Sequence, residues 1–252
     1  MLIIVSAEDL GTESALNDEI FALIEAKAVT SATVIANAPA FAQAAKVIAQ
    51  FPECSFGVHL NLTVFPPLRP SPQLEPILDE NGSLSPKLFK TQITSQLQRA
   101  AFDELTAQVE RALVAGIPVS HFDSHQHIHT LPKLFPVLKA LQRRFGIRRV
   151  RSTINLLPPG QRLSPIRWFK KRLFCHALRW HYRTASPEGL GEFRDFYAGL
   201  ESGQLPRFRE LELIVHPGTT APTYMHEVAL LRSDWRRRLP SGIAFGNYYS
   251  IS

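Results

Sequence analysis

The amino-acid sequence predicts an α/β protein built from parallel strands, arranged either as a sheet or as a (β/α) barrel. Short β-rich runs recur along the chain, and helical patterns lie between most of them. The chain has 252 residues, of which 45% are hydrophobic and 20% charged, so it is long enough to bury a full core. Because neither an internal repeat nor a linker is evident, we expect residues 1–252 to form one domain.

Six short runs are rich in apolar or β-branched residues, as strands are. They lie at 2–6, 31–36, 56–62, 119–124, 148–152 and 212–216. Helical spacing of apolar residues begins at Ser14, and a second helical pattern ends at Gly116. The Pro-rich stretch 65–86 has no long periodic element, so we predict an extended loop of the kind that often builds a site.

Composition narrows the functional classes. The opening "MLIIVS" is too short and lacks the basic leader of a signal peptide, and no run approaches the roughly 18 to 20 apolar residues of a membrane span. Cys54 and Cys175 lie far apart and form no metal knuckle, which favours a cytoplasmic location. The net charge of +6 suits an anionic partner. Nucleic acid is not expected, since no nucleic-acid-binding motif is present.

The segment 121–129, "HFDSHQHIH", concentrates histidines around one aspartate. Four histidines and the aspartate all have odd numbers: His121, Asp123, His125, His127 and His129. In a strand, alternation turns His121, Asp123 and His125 to one face, and the C-terminal end of a barrel strand reaches the active-site mouth. Because Pro132 begins the next helical pattern, His127 and His129 are expected on the loop.

Other strand ends carry compatible groups. Glu8 and Asp9 follow the first run, His59 interrupts the third, and His216 precedes Pro217 and Gly218. Taken singly, each has a structural interpretation, because paired carboxylates can cap a helix and a lone histidine is often a core residue. Together they sit where a barrel gathers its strand ends.

We therefore predict a catalytic metal site in which Asp9, His59 and His125 are the ligands. Two histidines and one carboxylate leave positions open for water and substrate. His121 and Asp123 would then orient the ligands, while His127 would contact substrate or replace His125.

Five stretches in order, "SAEDLG", "TSATVIANAPAF", "GVHLNLT", "HFDSHQHIH" and "ELIVHPG", resemble the motifs of the YdjC-like family of carbohydrate deacetylases, which includes chito-oligosaccharide deacetylase. The match runs to about residue 235. The resemblance implies a distorted, TIM-like (β/α) barrel with one divalent metal ion, magnesium or zinc, and an N-acetylated saccharide as substrate. It also implies that Glu8 is the general base and His216 the general acid.

Two departures from the family pattern matter. The first motif usually reads Asp-Asp, whereas here Glu8 is one methylene longer, and the segment 151–165 differs from what close members carry. Two other functions therefore remain open. One is a phosphoesterase or amidohydrolase on a similar barrel, often with two metals; the other is an inactive, carbohydrate-binding relative.

The segment 164–183 is a basic amphipathic helix. Ser164 is a suitable N-cap, Pro165 takes the first helical position, and the residues that share one face are Ile166, Phe169, Leu173, Ala177 and Trp180. We expect this apolar face to pack on the barrel. The alternative is a weak contact with a membrane surface, or a contact with an anionic substrate. The sequence is also compatible with a homodimer.

Overall fold

The computed structural model describes residues 1–161, 163–218, 224 and 226–251. Within these residues, parallel strands form one sheet in the order β4-β3-β2-β1-β6-β5, and β7 pairs with the start of β1. The strands are β1 (Leu2–Leu10), β2 (Ser31–Val34), β3 (Ser55–Leu60), β4 (Val119–Ser124), β5 (Gly189–Glu192), β6 (Glu210–Val215) and β7 (Ala244–Phe245). All of these pairings are parallel, as the alternation of strands and helices predicts.

Helices connect most of the strands and cover the outside of the sheet. They are α1 (Ser14–Glu25), α2 (Phe41–Ile48), α3 (Ser95–Val114), α4 (Phe135–Phe145), α5 (Pro165–Trp180), α6 (Phe193–Glu201) and α7 (Glu227–Leu231). None of the helices in the described part of the chain has the length and apolar character that crossing a membrane requires.

The sheet closes through an irregular segment, residues 149–156, that joins its two edge strands. On one side, the Phe122 N–H of β4 donates to the Arg149 carbonyl at 2.9 Å, and the Arg151 N–H donates to the Phe122 carbonyl at 3.0 Å. On the other side, the Leu190 N–H of β5 donates to the Ile154 carbonyl at 2.8 Å. The strands therefore form the distorted barrel that the family resemblance implies.

Five of the six predicted runs form strands, namely β1, β2, β3, β4 and β6. The run at 148–152 forms only single bridges, at Arg149 and Val150. β5 was not predicted because "GLGE" holds two glycines and has no alternating pattern. The predicted loop at 65–86 contains a 3-10 turn, Pro72–Ile77, and a second turn, Pro86–Lys90, follows it.

α5 begins as predicted but packs through a different face. The Ser164 side chain accepts a hydrogen bond from the Arg167 N–H at 3.4 Å, which is an N-cap interaction. The helix buries Cys175 and Leu178, whereas its long apolar face points to solvent. The exposed fractions are 69% for Ile166, 62% for Phe169, 58% for Leu173 and 77% for Trp180. The expectation that this face packs on the barrel is therefore wrong.

The buried ammonium group of Lys139 ties the end of α5 to α4. It donates to the carbonyls of Leu178 and His181 at 2.7 and 2.8 Å, and it lies 2.8 Å from Gln142 Oε1 and Thr184 Oγ1. The last carbonyls of a helix have no donor within the helix. Lys139 supplies that donor and so fixes where α5 ends.

We predict that Lys139→Met lowers the free energy of unfolding by about 2–4 kcal/mol, because it leaves several buried oxygens without a donor. Chemical denaturation followed by circular dichroism measures this loss. Lys133→Met, at an exposed position six residues earlier, is the matched control and should change stability by less than about 0.5 kcal/mol. Equal losses in the two variants would contradict the anchoring role.

Candidate active site

A kink near the end of β1 turns two neighbouring carboxylates towards one cavity. Glu8 and Asp9 lie inside the strand, its register against β2 shifts between Ala7 and Leu10, and Asp9 has a φ of 64°. Successive side chains of a regular strand point to opposite faces, but here both carboxylates line the same cavity. A positive φ at a non-glycine residue costs energy and is common at functional sites. The helix-capping interpretation is wrong, because the N-cap of α1 is Glu13.

The cavity lies at the C-terminal ends of β1, β4 and β6 and has a volume of about 300 Å³. His125 follows the last residue of β4, and His216 follows the last residue of β6. Both histidines line the cavity together with Glu8 and Asp9. The structure therefore gathers four of the predicted site residues in one place.

His59 lies beneath this cavity, fully buried, with its two ring nitrogens in different surroundings. Its Nδ1 is 2.8 Å from Asp123 Oδ1 and 3.1 Å from Thr33 Oγ1, and Thr33 also donates to Asp123 Oδ2 at 3.1 Å. Its Nε2 is 3.5 Å from Asp9 Oδ1. Neither Nε2 nor Asp9 Oδ1 has a hydrogen-bond partner among the described residues. Two such buried polar atoms side by side suit a cation between them.

His125 is oriented by a chain of hydrogen bonds from the loop after β3. Its Nδ1 is 2.7 Å from Thr63 Oγ1, and the Thr63 hydroxyl reaches Asn61 Oδ1 at 3.3 Å. Since Asn61 Oδ1 can only accept, Thr63 donates to it and accepts from Nδ1–H of His125. The lone pair of His125 is then on Nε2. Its ring centroid is 5.9 Å from that of His59.

A second grouping, Glu8, His59 and Asp123, also has ligand atoms within 4.8 Å of one another and could hold a metal ion. However, both Asp123 oxygens are engaged, Oδ1 by His59 and Oδ2 by Arg151 and Thr33. A carboxylate on the far nitrogen of a histidine is the usual partner that orients a metal ligand. Of the predicted ligands Asp9, His59 and His125, this grouping contains only His59.

Arg151 is the site residue that sequence analysis missed. Its buried guanidinium contacts Glu8 Oε1, lies 2.8 Å from Asp123 Oδ2, and makes two bonds to Glu212 at 2.8 and 3.1 Å. The Tyr248 hydroxyl donates to Glu212 at 2.6 Å. One signal was present in the sequence: Glu212, the second residue of the otherwise apolar run "LELIV", requires a buried partner.

These contacts set opposite charges on Glu8 and His216. Burial favours the neutral Glu8 carboxyl, but Arg151, His216 and His59 outweigh it and hold its pKa well below the usual range. Burial likewise favours the neutral His216 ring, but Glu8, 3.1 Å from Nε2, and Glu192, 3.7 Å from Nδ1, raise its pKa to about 9. At neutral pH Glu8 is therefore ionised and His216 is protonated.

The other histidines of the segment 121–129 lie away from this cavity. His121 stacks on Tyr248 with centroids 3.4 Å apart, and burial lowers its pKa to about 3, so it is neutral at pH 7. His127 lines a separate cavity of about 350 Å³, and the Nδ1 atom of buried His129 is 2.6 Å from Ser124 Oγ. The alternation ends because Gln126 and His127 have φ values of 50° and 56°.

Fold and site together define a class: a (β/α) barrel whose carboxylates and histidines meet at the C-terminal ends of the strands, where barrel enzymes hold their active sites. The chain belongs to the YdjC-like family, since the family model described as "YdjC-like protein" matches residues 2–239. This confirms the resemblance seen in the sequence motifs.

Relatives that are similar in sequence carry functional names. The carbohydrate deacetylase of Geobacillus stearothermophilus is 36% identical over 154 residues, which are 59% of this chain and 60% of that protein. The chain thus matches about three fifths of that relative's length. The chitooligosaccharide deacetylase of Yersinia pestis (strain Pestoides F) is 35% identical over 234 residues, 89% of this chain and 84% of that protein.

A solved structure confirms the fold. It comes from Enterococcus faecalis V583, and its description assigns it provisionally to cellobiose-phosphate cleavage. It superimposes with a TM-score of 0.76 at 22% identity, covering 99% of this chain and 98% of that chain. The likeness concerns the fold alone.

We predict that Arg151→Met lowers the free energy of unfolding by about 3–5 kcal/mol at pH 7, because it leaves buried carboxylates without their cation. In the wild type, Arg151 keeps the folded pKa of Asp123, about 2, below its unfolded value despite burial. Asp123 thus stabilises the fold above the unfolded pKa, and that contribution is lost as pH falls through about 2.

In Arg151→Met, no guanidinium opposes the effect of burial, so the pKa values of the buried carboxyl groups rise. The free energy of unfolding of this variant should therefore increase as pH is lowered from 7 towards 5. Urea denaturation at several pH values tests this. Arg149→Met, two residues earlier in the same segment, is the control, since Arg149 is only half-buried. A variant whose stability loss did not change with pH would argue against charge compensation as the role of Arg151.

Proposed function

We propose that the protein is a metal-dependent hydrolase that removes the acetyl group from an N-acetylated sugar of the N-acetylglucosamine type, releasing acetate and a free amine. The observation that carries this proposal is the pair of buried, unpartnered atoms, His59 Nε2 and Asp9 Oδ1, below a cavity lined by Glu8, His125 and His216. The names of the two deacetylase relatives support the reaction class.

Asp9, His59 and His125 would hold one divalent cation, magnesium or zinc. The orientation of both histidines supports this assignment, because Asp123 and Thr63 occupy their Nδ1 atoms and leave Nε2 free in each. When bound, such an ion supplies a Lewis acid that polarises an acyl carbonyl and acidifies water.

Glu8 would act as the general base. Its carboxylate is ionised at neutral pH and can take a proton from the water that attacks the acetyl carbon. Arg151 and His216 each hold one of its two oxygens, which fixes the longer side chain that stands here in place of the usual aspartate. Fixed placement matters because an error of about 1 Å can cost on the order of a hundredfold in rate.

His216 would act as the general acid. It is protonated at neutral pH, and its Nε2 lies 3.1 Å from Glu8 Oε2, so base and acid flank the same point of the cavity. As the C–N bond breaks, His216 gives its proton to the departing amine nitrogen. Glu192 positions the ring from its other side.

Acetate release from a panel of N-acetylated sugars, with metal-free enzyme to which zinc or magnesium is returned, tests the function. We expect acetate only when a metal is present. If the protein binds a sugar of the panel but releases acetate from none of them, the inactive carbohydrate-binding relative would be favoured. Hydrolysis of phosphoesters, with about two metal ions per chain, would favour the phosphoesterase.

The ligand assignment predicts different outcomes for two neighbouring histidines. His125→Ala should lose most of its bound metal and reduce activity on the order of a hundredfold or more. His127→Ala is the matched control, since His127 lines a separate cavity, and it should keep its metal. Atomic absorption measures the metal that each variant retains after dialysis and so tests the assignment. If His127→Ala lost the metal and His125→Ala kept it, the assignment would be wrong.

The charge state of His216 predicts how activity depends on pH. As pH rises through about 9, His216 loses the proton that it must donate, so the alkaline limb of kcat/KM should fall there. Glu192→Gln removes a charge that raises this pKa, so the limb should move to lower pH. Asp195→Asn changes the net charge equally and should leave the limb in place. If the alkaline limb of kcat/KM in Glu192→Gln stays where it is in the wild type, Glu192 does not position His216.

Two further expectations stay predictions. A cytoplasmic location is in keeping with Cys54 and Cys175 being free thiols. A homodimer is compatible with the sequence, and gel filtration with light scattering would test it.

A further inference from the structure

The outer face of α5 carries an apolar stripe that nothing in the described part of the chain covers. Nine large hydrophobic side chains are exposed among the described residues, and five of them lie on this one helix. They are Ile166, Trp168, Phe169, Leu173 and Trp180. Four of these, all but Trp168, recur at helical spacing opposite the buried Cys175 and Leu178.

The same region is strongly basic. Between Ser124 and Pro187 the sequence contains no aspartate or glutamate, yet it holds 14 of the chain's 28 lysines and arginines, of which Lys139 and Arg151 are buried and do not contribute to the surface. α5 itself contributes the exposed Arg167, Lys170, Arg172 and Arg179, whereas Lys171 turns inward and donates to the Thr153 carbonyl. The apolar stripe is therefore bordered by positive charge.

We propose that α5 docks in the plane of an anionic lipid membrane, and that the enzyme acts there on N-acetylated saccharides carried by a membrane lipid. Interfacial helices combine an apolar face, tryptophan at its edge and basic flanks that attract anionic headgroups. The substrate part of this inference rests on the proposed deacetylase function; the docking part does not.

Charge complementarity selects the lipid surface over other occupants. A second copy of the chain, meeting this face symmetrically, would bring arginines against arginines. Nucleic acid would match the charge, but its phosphate backbone offers no apolar layer for Ile166, Phe169 and Leu173. An anionic bilayer offers both the charge and the apolar layer.

The helix lies beside the part of the barrel that builds the active site. On its inner face, Lys171 and Phe174 line the cavity of about 350 Å³ together with His127, Thr153 and Asn155. Thr153 and Asn155 belong to the segment 149–156 that also delivers Arg151 to Glu8. A membrane bound to the outer face of α5 would therefore lie near the strand ends where a saccharide headgroup must enter.

Vesicle flotation of the full-length protein tests the docking. We expect the wild type to float with vesicles of phosphatidylcholine mixed with phosphatidylglycerol, more weakly with phosphatidylcholine alone, and less as salt is raised. The double variant Phe169→Glu/Leu173→Glu should bind these vesicles more weakly, by a factor on the order of ten or more. Phe89→Glu, an exposed phenylalanine away from α5, is the matched control and should float like the wild type.

Acetate release from an N-acetylated glycolipid in the same vesicles, and from a soluble N-acetylated saccharide, tests the substrate class. The double variant should lose the first activity and keep the second, which also shows that it is folded. No flotation of the wild type, or equal flotation of the double variant, would overturn the docking.

Two further outcomes separate the alternatives. A wild-type dimer that the double variant converts to a monomer, without vesicle binding, would make a second copy the occupant and overturn the proposal. Flotation that depends on the stripe, with no acetate from either substrate, would support docking while rejecting the deacetylase function.

Discussion

The buried guanidinium of Arg151 holds together carboxylates that come from three different strands. Glu8 belongs to β1, Asp123 to β4 and Glu212 to β6, and each would be costly to bury as a charge without a partner. Through Asp123 the same contact orients His59, and through Glu8 it reaches His216. The barrel ends and the site chemistry therefore depend on one cation at the centre.

The charges around Arg151 also bear on the proposed metal site. Glu8, Asp9, Asp123 and Glu212 can supply four negative charges, against one positive charge from Arg151. Burial opposes a proton on His59, but Asp123, Glu8 and Asp9 raise its pKa, and His216 is likewise drawn towards its charged form. With both histidines charged, one negative charge remains in excess. A divalent ion among Asp9, His59 and His125 would meet the same electrostatic demand as the proton on His59.

Much of the site could be predicted because it depends on strand order and side-chain alternation. Glu8, Asp9, His125 and His216 lie near strand ends, and a parallel barrel gathers such ends at one rim. Arg151 could not be found in this way, because its segment bonds to both neighbours without forming a regular strand. The exposed face of α5 could not be predicted either, because periodicity shows that a helix is amphipathic but does not show which side its neighbours cover. β5, with two glycines in four residues, gave no pattern to detect.

The irregular segment 149–156 links the shape of the cavity beside α5 to the charge balance of the core. Arg151 must keep its place among the carboxylates, while Thr153 and Asn155, two and four residues later, line an open cavity. A substitution at Thr153 or Asn155 would therefore reshape this cavity while leaving the carboxylate contacts of Arg151 in place, provided that the backbone at 151 stays fixed. One short segment thus combines a fixed anchor of the core with the wall of an open cavity.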